Sequence, residues 1–480
     1  DLQDSSSLGL FLRAGVLLGE GVRLELMAQR FDLQGNGDYI VVPGSRALGI
    51  PATGALGEQP GEAPRNQAES ASLTLSADNL WGGDFSAQLF WNRTRDIYGG
   101  GTFADFQDPA FPPFGTLFDQ SQNKSRKLGG RLTYERAMPG LEDLTILAGL
   151  DVLHDRTVQT LIATDRAWVP ETDYRSIAPF AQLNLALLDE KLRLSAGLRH
   201  EDVRITIPDY QTLWFYGPRD VTGGTPTFQE TLPNAGIVLE PWDGIRAYAS
   251  YAEGYTVPDI GRITRAIRTD GVNLDDFLDI SPIISNNREL GVEVDRGPLS
   301  ASATYFWSSS DRGQLLTLVG DVFEVQRQRI EIEGFELNLR TRTPIEGLAL
   351  SLGYAHLVGR VDTTGDGKVN ADLDGANIGP DRLNIAADYA KGPLSLRVQS
   401  SSVLSRTFRG GDPRNNFGGY WLLDAYGAVE TGFGTISLGV QNLLDRQYID
   451  YNSDTQRPAD NIRFFAGRGR SLTLGISRSF

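Results

Sequence analysis

The sequence predicts an all-β chain folded as a transmembrane antiparallel β-barrel with about 19 strands present, on three observations. Apolar residues alternate with polar ones over strand-length stretches, and the apolar sets often end on Trp or Tyr. Tight turns alternate with long polar loops without a miss. No run approaches the roughly 18 apolar residues of a membrane helix, which leaves strands as the only means of crossing a bilayer. A single alternating strand also fits a soluble sandwich. The polar faces here carry Arg, Asp, Glu and Gln, however, so the pattern is greasy outside and wet inside.

In chain order, the first strand is LGLFLRAGVLL, which runs into the turn GEG at 19–21. In GDFSAQLFWNRTRD the apolar set is Phe85, Ala87, Leu89 and Trp91, with Ser86 and Gln88 opposite. In PLSASATYFWSSS it is Leu299, Ala301, Ala303, Tyr305 and Trp307 against Ser300, Ser302 and Thr304. In YWLLDAYGAVE it is Trp421, Leu423, Ala425 and Val429, with Asp424 and Glu430 opposite. The last strand, in RGRSLTLGISRSF, sets Leu472, Leu474, Ile476, Arg478 and Phe480 against small polar residues.

Short links at 19–21, 81–83, 138–143, 188–191, 241–244, 296–298, 343–347, 390–393 and 431–434 read as hairpin turns. Longer Gly-, Asp- and Pro-rich loops fall between them, roughly at 34–67, 97–123, 157–173, 207–225, 256–283, 310–320, 360–379, 405–418 and 450–462. Nine links of each kind join 19 strands, so the first strand starts on the long-loop rim and the last ends on the short-turn rim. A bacterial single-chain barrel has an even strand count with both ends periplasmic, so an odd number of strands is expected before Asp1; three would give 22.

Composition removes other classes. A net charge of −16 argues against nucleic acid as a partner. With no Cys and with His154, His200 and His356 in separate segments, thiol chemistry, multi-His zinc sites and a Ser/His/Asp hydrolase have little material.

Several segments resemble the barrel of TonB-dependent siderophore receptors, the outer-membrane ferric-chelate receptors. They are YASYAEGYTVPDIGR (248–262), NNRELGVEV (286–294), IEGFELNLRTRTPIEGLALSLGYAH (332–356), VQNLLDRQYIDY (440–451) and FFAGRGRSLTLGISRSF (464–480). The resemblance implies a 22-stranded receptor barrel, with residues 1–480 as the barrel domain equivalent to strands four to 22 and the N-terminal plug and first three strands absent. It implies a Gram-negative outer-membrane receptor that actively imports a ferric siderophore, energised through TonB by way of the missing plug, with no enzymatic step and no cofactor. The partners implied are the iron chelate, the TonB complex, outer-membrane lipid and lipopolysaccharide, and the barrel assembly machinery, which would read the terminal Phe480. Arg478 departs from the aromatic or apolar residue often found two before that end. The alternative is a passive porin or specific diffusion channel, which shares the barrel and lacks the plug.

Candidate ligand contacts are aromatic and Arg residues on the long loops. Tyr98, Phe103 and Phe106 lie in a loop that also holds Phe111, Phe114 and Phe118; Trp168, Trp214, Phe215 and Tyr216 lie in the next two loops. Arg262, Arg265 and Arg268 follow Pro258, and Arg409 lies in a later loop. Packing of each loop on itself, or a solvated charge, is the competing reading. In DTTGDGKVNADLDGAN, Asp362, Thr364, Asp366, the Lys368 carbonyl and Asn370 match the alternate positions of a calcium loop, with Gly367 at the turn. Leu373 stands where a bidentate Glu is wanted, with Asp372 or Asp374 to substitute; the competing reading is an acidic turn held by its own Asp side chains.

Overall fold

A computed structural model describes residues 5–36, 38–58, 61–99, 106–276, 280–319, 322–410, 413–455 and 461–478. Its main feature is one 20-stranded antiparallel sheet. One member is the two-residue piece Ala371–Asp372; the other 19 form a meander in which each strand pairs with the next along the chain. They are β1 (Ser5–Gly19), β2 (Val22–Gly35), β3 (Arg65–Leu80), β4 (Gly83–Ile97), β5 (Ser121–Met138), β6 (Leu141–Leu161), β7 (Ala167–Leu187), β8 (Leu192–Thr206), β9 (Thr227–Trp242) and β10 (Ile245–Thr256). After these come β11 (Ile283–Arg296), β12 (Leu299–Val319), β13 (Val322–Arg342), β14 (Leu348–Val361), β15 (Arg382–Lys391), β16 (Leu394–Val403), β17 (Tyr420–Thr431), β18 (Gly434–Gln441) and β19 (Ser471–Ser477). Among the described residues no helix is long and apolar enough to cross a membrane.

The register puts the apolar sets on one surface. Leu26, Leu73, Leu89, Gly130, Val152 and Ile177 stand opposite one another from β2 to β7. Trp91, Tyr305 and Trp421 lie on this same surface and are 38%, 44% and 37% exposed, with no second sheet covering them among the described residues. One residue along, the other surface is ionic: Arg131 and Arg199 both hold Asp151 at 2.6 Å, and Arg199 holds Glu201 at 2.6 Å. Charges that would be costly in hydrocarbon therefore pair inside, where water reaches them.

All nine short links are turns between wall strands. Gly244 shows why glycine is needed: its φ is 73°, and a Cβ there would collide with the Asp295 carbonyl. At the other rim, two expected loops are largely strand. The 157–173 stretch narrows to a connection at 162–166, and the 310–320 stretch belongs to β12 up to Val319. Thr157, Val158 and Thr160, and likewise Leu315 to Thr317, keep the pairing going beyond the wall.

The sheet curls until its ends approach. Between β2 and β3, a hairpin of Tyr39–Val42 and Thr53–Leu56 reaches the loop between β18 and β19. There Arg46 donates to the Asp454 carboxylate at 2.9 Å and stacks 4.6 Å from the Phe464 ring, while the Ala52 amide donates to the Phe464 carbonyl at 2.7 Å. Below this clasp, β1 and β19 do not pair with each other among the described residues. Phe480 lies outside the described residues.

Candidate functional site

The long-loop rim gathers side chains from distant parts of the chain. Helix α1 (Ile260–Arg265) starts where Asp259 accepts the Arg262 amide at 3.0 Å. Ile260, Ile263 and Ile267 fall at helical spacing and pack with Val203, Ile205, Ile207 and Leu274. The helix touches both β7 and β13, which are not neighbours, so it lies across part of the mouth.

The opposite side of that turn presents Arg262, Arg265 and Arg268 at intervals of three. Arg262 pairs with Asp259 at 2.9 Å, and Arg268 pairs with Glu324 at 2.8 Å while standing 5.8 Å from the Tyr216 ring. Arg265 is 8% exposed and lies 4.2 Å over the Trp168 ring. Burial pushes its guanidinium below the ordinary arginine value.

Trp168 is the hub. Phe106 meets it edge-on at 4.9 Å, and its indole N–H donates to the Tyr216 hydroxyl at 3.4 Å. Phe215 packs 4.5 Å from Tyr216, and Leu161 and Leu213 close the cluster beneath. Burial raises the Tyr216 phenol, so that hydroxyl stays protonated. Tyr98 is half exposed and accepts from the Asn123 side chain at 2.8 Å; Trp214 is 47% exposed. Phe103 lies outside the described residues.

Sequence reasoning passed over Arg166, which sits two residues before Trp168. It donates to the Phe106 carbonyl at 2.6 Å and to Asp108 at 3.2 Å, and it stacks 4.7 Å from Phe111. Its place in DRAWVPE beside the tryptophan was the available signal. Gln159 and Glu324, which meet Arg265 and Arg268, come from strands 106 and 56 positions away along the chain, so no local pattern marks them.

Arg409 belongs to a different part of the rim. Its guanidinium pairs with Asp372 at 3.5 Å, beside a second cluster in which Phe408, Phe417, Leu373 and Tyr451 of helix α2 (Tyr451–Thr455) are buried. Burial pushes the Tyr451 phenol up to about 12, and its hydroxyl donates to the Ile378 carbonyl at 2.8 Å.

In the acidic loop, Asp362 is 3% exposed and accepts the amides of Thr364 at 3.0 Å and of Gly365 and Gly367 at 2.7 Å. Burial acts to raise its carboxyl, and the backbone donors outweigh that and leave it below the usual carboxylate range. Asp366 accepts the Lys368 amide, Asn370 accepts from Thr363 and donates to the Thr364 hydroxyl, and Asp374 accepts from Ala376 and Asn377. Among the described residues no three His, Cys, Asp or Glu side chains converge on one point. These bonds are those of an Asx-held turn.

Aromatic faces beside a guanidinium suit non-covalent capture of a ligand that is partly flat and partly anionic. The chain is 24% identical to the ferric aerobactin receptors of Klebsiella pneumoniae and Escherichia coli, with 100% of this chain and 70% of each of those aligned. Its fold matches the solved copper transporter OprC with a TM-score of 0.74 at 16% identity, over 98% of this chain and 71% of that one. The family described as "TonB dependent receptor-like, beta-barrel" matches residues 21–443. The chain therefore belongs to the β-barrel family of TonB-dependent receptors, which are outer-membrane transport proteins and not enzymes.

Proposed function

We propose that this barrel forms the wall and outer mouth of a receptor that imports a ferric chelate of the siderophore class, energised through TonB. The observation that carries the reading is the mouth cluster, in which Trp168, Phe106, Tyr216 and Arg265 converge from separate parts of the long-loop rim. The names of the ferric aerobactin receptors support an iron chelate as cargo. In this reading Tyr98, Trp214, Arg262 and Arg268 offer the first contacts, and Arg265 with Trp168 lies deeper. The plug through which TonB acts is expected outside residues 1–480. Lipid, lipopolysaccharide and the assembly machinery are partners of the wall, and the acidic loop acts as a turn held by its own Asp362 carboxylate, the alternative to a calcium site there.

The test is uptake of radioactive iron supplied as ferric aerobactin, ferric rhizobactin or ferric citrate by cells with and without the intact gene. Gene-dependent uptake that stops on collapse of the proton gradient supports the importer. Gene-dependent uptake that continues without the gradient supports a passive channel, and gene-independent uptake of all three overturns the reading.

A further inference from the structure

The three cations on the α1 turn are not equivalent. Arg262 and Arg268 each have a carboxylate within 2.9 Å, whereas no described carboxylate pairs with Arg265. Its Nη1 reaches Gln159 Oε1 at 3.4 Å, near the limit of a hydrogen bond, and its Nε has no hydrogen-bond partner among the described residues. A guanidinium that is 8% exposed and has no ion-pair partner among the described residues, with Asp259 and Glu324 acting on it only from beyond contact distance, is an unfavourable arrangement by itself. Trp168 covers the flat face of the group at 4.2 Å, so what remains is the in-plane edge, where the N–H donors form a fork. Such an edge matches two oxygens of one planar anion better than it matches a single carbonyl.

We infer that Arg265 reads an anionic oxygen pair of carboxylate type on the incoming chelate, one that does not itself bind the iron. This deepens the import reading and rests on it. Arg265 is then a specificity residue: Trp168 holds the guanidinium in orientation, and the chelate's free carboxylate supplies the charge the site lacks.

The experiment measures equilibrium binding to whole cells carrying the receptor from its intact gene. The probes are ferric aerobactin, the same chelate with its peripheral carboxylates converted to methyl esters, and inorganic phosphate as competitor. The wild type should bind the acid about tenfold more tightly than the ester, with phosphate competing weakly. Arg265→Gln should remove that preference by weakening the acid alone, and Arg265→Lys should restore part of it, since it keeps the charge and loses the fork. Equal wild-type affinity for acid and ester overturns the inference and leaves the import reading standing. Equal weakening of both chelates by Arg265→Gln assigns the residue to loop packing and likewise overturns it. Phosphate competing as well as the acid makes the site a general anion trap, which contradicts a role in reading the chelate. A wild type that binds neither chelate overturns the inference together with the aerobactin form of the import reading. If Arg265→Gln fails to reach the membrane, the wild-type comparison of acid with ester still decides.

Discussion

Asp119 has no exposed side-chain surface and holds a loop junction together. Its carboxylate accepts the amides of Gln120 at 3.0 Å and Ala163 at 2.9 Å and the Thr164 hydroxyl at 2.7 Å, with Arg166 at 3.7 Å. Asp119→Ala leaves the two amides and the hydroxyl unmet, while Arg166 keeps Asp108 and the Phe106 carbonyl, at a cost of about 3 kcal/mol. Faster hydrogen exchange at Ala163 and proteolytic nicking of 106–120 are the expected signs; unchanged protection would count against the assignment. Asp362 gives a pH prediction. Its folded carboxyl is depressed, so its stabilisation is complete above the ordinary aspartate range and is lost as pH falls through the depressed value. Exchange at Gly365 and Gly367, corrected for the intrinsic rate, should be slow at neutral pH, accelerate below about pH 4 and ignore added calcium; calcium-dependent protection would indicate a bound cation. At this scale the sequence was partly informative. Residue type marked Trp168, Tyr216 and Arg265, but only tertiary contacts separate Arg265 from its paired neighbours Arg262 and Arg268, and send Arg409 to another cluster.

The strands were far more legible, because period-two alternation is imposed by the pleat and survives any detail of packing. Trp91, Tyr305 and Trp421 face outward as the alternation required, and all nine turns fall where Gly and Asp clusters marked them. Strand ends at the loop rim were less legible: the β6–β7 and β12–β13 hairpins carry polar residues that read as loop, and their pairing beyond the wall is a tertiary outcome. The Arg46 clasp, joining residues more than 400 positions apart, had no local signal at all. Outward strand faces carry their own prediction. Leu132 lies opposite Ala87 and Leu150 on the apolar surface, and its neighbour Arg131 lies on the ionic one. Leu132→Arg should cost about 2–4 kcal/mol of stability in bilayers, measured by denaturant titration. Ser86→Arg, on the inner surface opposite Ser76 and Thr133, should be close to neutral. Equal costs would mean that the faces are misassigned.

For the whole molecule, one consequence of the meander is that β1 and β19 are free edges among the described residues, each with a row of backbone donors and acceptors. In hydrocarbon every unmet group costs several kcal/mol, so these two edges are the weakest part of the wall among the described residues. Residues 1–480 produced alone should fail to insert cleanly or should open an ungated pore; planar-bilayer recordings of a closed, silent state would refute this. A path for the chelate through this wall requires lipid outside and water inside. Because the chain has no Cys, a nitroxide can be attached at a single introduced thiol. With the label at Leu89→Cys and, separately, at Gln88→Cys in bilayers, collisions with oxygen should dominate at position 89 and collisions with a water-soluble nickel chelate at position 88. The reverse order, or equal access to nickel at both, would contradict the barrel's orientation and with it the proposed path for the chelate.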